Sequence, residues 1–89
     1  MQESTKNRIE ACLSAEFNSL SLEIFNDSAK HAGHAGAGVE THFRVYMVAE
    51  EFQGLSRVER HRRINAALAP EFARGLHALQ IIAKAPSEV

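Results

Sequence analysis

Five histidines in an 89-residue chain, His31, His34, His42, His61 and His77, are the side chains best suited to chemistry. Imidazole is the commonest metal ligand and changes charge near neutral pH. His31 and His34 form a His-x-x-His pair among Gly33, Gly36 and Gly38. Alone, that pair is a weak metal signal and reads equally well as two polar loop residues. His42 leads into an apolar run and reads as a hydrogen-bonded structural residue. His61 lies between arginines and reads as a helix-surface or packing residue. His77, between Gly75-Leu76 and Ala78-Leu79, is the hardest to explain as structure, because a strand end holds a side chain more rigidly than a loop does.

Structural zinc takes four closed ligands, and no Cys-x-x-Cys is present to complete a set, which argues against a stand-alone zinc centre. The single cysteine, Cys12, falls on an apolar helical position and is expected to be a buried, inert thiol. There is no activated nucleophile, Walker loop or dinucleotide fingerprint, and the carboxylates are scattered. The expectation is a protein that is not an enzyme. The remaining chemical signal is charge. Residues 1–56 hold four Lys/Arg against eight Asp/Glu, and residues 57–89 hold six against three. Arg57, Arg60, Arg62 and Arg63 concentrate the positive charge on one predicted helical region, 57–74. Such a face could engage phosphates, or it could be a solvated helix face whose arginines make local pairs.

These residues need elements to position them. With 89 residues, 45% apolar and 24% charged, the chain reads as one domain, residues 1–89 with an ordered core at about 4–85. Ile9, Cys12, Leu13 and Phe17 recur at three- and four-residue spacing behind Ser4, a plausible N-cap, and predict a helix. Leu20, Leu22 and Ile24 alternate with Ser21, Glu23 and Phe25, and Phe43, Val45 and Met47 alternate with Arg44, Tyr46 and Val48. Both runs predict strands with one face on the core, paired antiparallel. Asn26 to Glu40 is too long for a tight hairpin, and long loops in compact domains are often functional. Ser56-Arg57-Val58-Glu59 is a capping box that starts a second helix. In it Val58, Ile64, Ala67 and Leu68 are expected to face the core, with Arg57, Arg60 and Arg63 on or near the solvated face. Pro70 ends this helix and opens a short one that closes at Gly75. Leu79, Ile81 and Ile82 mark a third strand, and residues 85–89 read as a frayed tail. The expected fold is a two-layer α+β domain of order α-β-β-α-α-β, with a three-stranded mixed sheet covered by helices on one face.

Five segments in order, Ser28-Ala29-Lys30-His31, Glu40-Thr41-His42-Phe43-Arg44-Val45, Phe52-Gln53-Gly54-Leu55-Ser56, Arg60-His61-Arg62 and Leu76-His77-Ala78-Leu79, resemble the successive signature segments of the BolA family. The resemblance runs from about Ile9 to Pro86. It implies a topology like that of type II KH domains, and a complex with a monothiol glutaredoxin in which a [2Fe-2S] cluster is shared. In such a complex the glutaredoxin cysteine and glutathione supply sulfur ligands. The BolA-like protein supplies the histidine before the last strand, His77 here, and a loop histidine, which falls on His31 or His34. His31 is favoured because it stands closer to the preceding strand. No cluster is expected in the isolated chain, as monomer or weak homodimer. The resemblance also implies an alternative, a DNA-binding transcription regulator using the basic region 57–74. The Gly-x-x-Gly grip of KH domains is missing from the Ala69-Pro70 junction between the two helices. With no apolar run approaching ~20 residues and no signal-like N-terminus, the expected location is cytoplasmic and away from membranes.

Overall fold

A computed structural model describes residues 4–27 and 42–89. Helix α1 (Thr5–Glu16) is followed by strands β1 (Ser19–Asn26) and β2 (His42–Ala49), helices α2 (Arg57–Ala67) and α3 (Ala69–Ala73), and strand β3 (Ala78–Lys84). Short 3-10 turns at Glu50–Phe52 and Pro86–Glu88 complete the order. The sheet order is β1-β2-β3, antiparallel between β1 and β2 and parallel between β2 and β3. The α+β element order is the one the hydrophobic patterning predicts, and the three-stranded mixed sheet is as expected.

The caps start the helices where expected. Ser4 Oγ accepts from the Asn7 N–H and Ser56 Oγ from the Glu59 N–H, both at 3.1 Å. Each satisfies a helix-terminal donor that would otherwise lack a partner. Ile9, Leu13 and Phe17 from the α1 side, Ile24, Phe43, Val45 and Met47 from the sheet, and Ile64 and Leu68 from α2 form one buried cluster. Phe17 and Phe52 close one side of it with ring centroids 5.3 Å apart. Cys12 is half-buried against this cluster rather than enclosed by it.

Three further expectations change. Leu20 is 64% exposed, because β1 carries an irregularity between Ser19 and Ser21 that leaves Leu20 without a cross-strand partner. An extra residue of this kind interrupts the alternation of faces. Val58 is 60% exposed while Arg60 is buried. Arg60, Ile64 and Leu68 are four apart and share a helical stripe, and Val58 lies off it. Nor is the tail frayed. Ala85 is buried, and Glu88 Oε1 accepts from the Ala85 N–H at 2.6 Å.

The start of β3 is fixed from the helical layer. Glu71, buried in α3, accepts from Arg8 Nε of α1 at 2.9 Å and so ties the two helices. Gly75 takes φ +119°, which an L side chain adopts only with strain. The Leu76 N–H then returns to the Glu71 carbonyl (3.0 Å) and the Gly75 N–H to the Phe72 carbonyl (3.2 Å), the paired bonds of a glycine-terminated helix end. Leu76 is thereby buried, and the next residue is His77.

Candidate functional site

Because β2 and β3 run parallel, both begin at the same end of the sheet, and His42 pairs in register with Ala78. His42 is therefore brought beside His77, which precedes Ala78. Their ring centroids lie 5.6 Å apart with planes inclined at 58°. His77 is exposed and His42 half-buried. Two imidazoles on one tetrahedral ion place their centroids roughly 5 Å apart, from metal–nitrogen bonds of about 2.1 Å. The observed pair is close to that spacing.

The surroundings of the pair hold its backbone. The Asp27 N–H donates to the His42 carbonyl at 2.8 Å, which joins the end of β1 to the start of β2. Asp27 Oδ2 also accepts from Arg44 Nε at 2.7 Å, and the Arg44 guanidinium lies 4.6 Å above the Phe25 ring. A cation over an aromatic face is attracted by the ring quadrupole. A shallow hollow of about 300 Å³ opens here, lined by Asp27, His42, Arg44, Ala78 and Gln80 among others.

Of the histidines singled out from sequence as ligands, His77 occupies this site, while His31 and His34 lie outside the described residues. His42, expected from the sequence to be a structural residue, lies beside His77. His42 begins β2 and His77 immediately precedes β3; what the sequence does not carry is the strand order and register that make those two strand starts neighbours. Among the described residues no group of three His, Cys, Asp or Glu is placed to hold a metal ion. The two imidazoles thus offer part of a coordination sphere.

The arginine face is different from the one expected. Arg60 does not face solvent. Its Nε donates to the Leu55 carbonyl (2.9 Å), Nη1 to the Ala83 carbonyl (3.0 Å), and Nη1 and Nη2 together clasp the Glu88 carboxylate. Its charge is consumed within the fold, and it leaves the proposed phosphate-binding set. Arg57, Arg62 and Arg63 are exposed, and the last two lie 3.7 and 3.8 Å from Glu59 carboxylate oxygens. The Arg60 guanidinium, followed by the Ala85 N–H, holds the Glu88 carboxyl below the usual carboxylate range.

Comparison with known proteins is consistent in fold and sequence. A family model described as BolA-like protein matches residues 13–88. The chain is 47% identical over 90 residues to the UV-induced protein uvi31 of Schizosaccharomyces pombe, covering 94% of this chain and 88% of that protein. It is 46% identical over 88 residues to SufE-like protein 1, chloroplastic/mitochondrial, of Arabidopsis thaliana, covering 92% of this chain but only 24% of that much longer protein. The solved structure of BolA1 from Arabidopsis thaliana superposes with a TM-score of 0.89 at 40% identity, over 100% of this chain and 99% of that one. Relatives named as chloroplastic show that the family extends beyond one compartment, so the cytoplasmic expectation does not follow from membership. Among the described residues no helix is long and apolar enough to cross a membrane. With its family model matched over residues 13–88 and its fold shared with BolA1, the chain belongs to the BolA-like protein family.

Proposed function

We propose that the chain is a non-enzymatic adaptor that pairs with a monothiol glutaredoxin to share or transfer a [2Fe-2S] cluster, in cluster assembly, trafficking or iron regulation. The observation that carries this reading is the His42–His77 pair, with ring centroids 5.6 Å apart at the end of the sheet from which residues 28–41 depart. Neutral imidazoles suit iron, and replacing thiolates by imidazoles on one iron raises a cluster's reduction potential. His77 is the first ligand in this reading. His42 joins His31 and His34 as a candidate for the second; its backbone is fixed by β2 and by the Asp27 N–H, so little conformational freedom is lost on binding. The glutaredoxin cysteine and glutathione supply the sulfur ligands.

The test is anaerobic reconstitution of the chain with a monothiol glutaredoxin, glutathione, iron and sulfide. A coloured heterodimer is expected with the wild-type chain, and a bleached or shorter-lived one with His77→Ala. No heterodimer, or one whose visible spectrum and lifetime are unchanged by His77→Ala, removes the reading. Comparing His42→Ala with His31→Ala and His34→Ala then assigns the second imidazole.

A further inference from the structure

A groove of about 620 Å³ runs along the outer side of β3, between that strand and the beginning of α2. β3 is an edge strand, because the sheet ends with it. The Ala83 carbonyl accepts from Arg60 of α2 and so faces away from β2. Backbone polar groups in a strand alternate in direction with period two, which turns the N–H and C=O groups of Leu79 and Ile81 to the same outer side. Outside the sheet's own ladder, no hydrogen bond among the described residues reaches them. Unpaired edge groups of this kind are a template for another strand. Among the described residues, the edge is stopped at its C-terminal end, where Arg60 takes the Ala83 carbonyl and Glu88 takes the Ala85 N–H.

The groove's charge selects the occupant. Arg57, His61 and Lys84 line it, and the one acid among its described lining residues, Glu88, is already engaged by Arg60 and Ala85. Arg57 has no ion pair among the described residues. We propose that this groove docks an extended acidic segment of a partner protein, which adds as a fourth strand beside Leu79–Ala83. Backbone bonds would give affinity, and Arg57 and Lys84 would select acidic side chains. A second copy of β3 would bring these basic residues against each other. A single-stranded nucleic acid would meet their charge, but among the described residues no Phe, Tyr or Trp lines the groove to stack its bases.

The experiment is amide hydrogen exchange read by NMR on the full chain, with three probes. These are a peptide alternating glutamate and valine, the same peptide with lysine for glutamate, and oligo(dT). The acidic peptide is expected to slow exchange at Ile81 and Ala83 severalfold and the lysine peptide to leave it unchanged. An Arg57→Glu/Lys84→Gln variant, which keeps Arg60 and Glu88, is expected to lose that protection while retaining the exchange rates of the core amides. Failure of the acidic peptide to protect Ile81 and Ala83 overturns the proposal. So does protection that rises with protein concentration alone, which would mark a second copy, or a steeply salt-dependent preference for oligo(dT) over the peptide.

Discussion

At the C-terminal end of β3 one arginine of the basic helix is turned inward, whereas at its N-terminal end a polar ring is presented outward from a fixed backbone. Arg60 directs its donors to two carbonyls and one carboxylate of its own chain. His77 stands exposed after a glycine-terminated helix, beside His42. One end uses polar chemistry to hold the fold, and the other uses the fold to hold polar chemistry.

The comparison breaks first at Arg60. Arg60→Ala leaves the Leu55 and Ala83 carbonyls and the Glu88 carboxylate without their donor, and is expected to cost about 2 kcal/mol in urea denaturation. This is below the cost of a fully buried pair because the Glu88 side chain is 45% exposed. A loss near zero would mean the contacts are no more than surface pairing.

Glu88→Gln sharpens the same end with a smaller effect and a defined pH dependence. The folded carboxyl is held below its ordinary value of 4.5 by Arg60 and the Ala85 N–H. Its contribution is therefore full above that value and is lost as pH falls through the lower folded one. The stability gap between wild type and Glu88→Gln is expected to be widest near neutrality and to close on acidification below the ordinary range. A gap independent of pH would remove the charge as its cause.

At the other end His77→Ala is expected to change folding stability by no more than about 0.5 kcal/mol, as for exposed positions generally. Paired with loss of the coloured heterodimer, that small value separates a binding role from a packing one. Smallest of all, Arg62→Ala should be silent in thermal denaturation, since an exposed i,i+3 pair at 3.7 Å from Glu59 contributes about 0.5 kcal/mol or less.

What the sequence made legible was whatever depends on neighbours along the chain. Ser4 and Ser56 cap where their spacing says, and Phe43, Val45 and Met47 bury as their alternation says. Leu20 escaped because one extra residue in β1 shifts the alternation, and a shift of one residue exchanges the faces of a strand. Arg60 was readable in principle, being four residues from Ile64 and eight from Leu68, but its charge outweighed its periodicity. His42 was not readable in this way: its partner is His77, 35 positions on, and only the parallel register of β2 and β3 joins them.

That register has a thermodynamic consequence. His42 and His77 are neighbours only when the intervening α2 and α3 are folded and β3 is docked, so the unfolded chain offers no preformed two-imidazole site. Any ligand that bridges both rings must then stabilise the whole crossover by mass action, by about 2.7 kcal/mol at a free concentration one hundred times its dissociation constant. Occupancy at the sheet's end would be reported as slower amide exchange far from it, throughout α2 and β3.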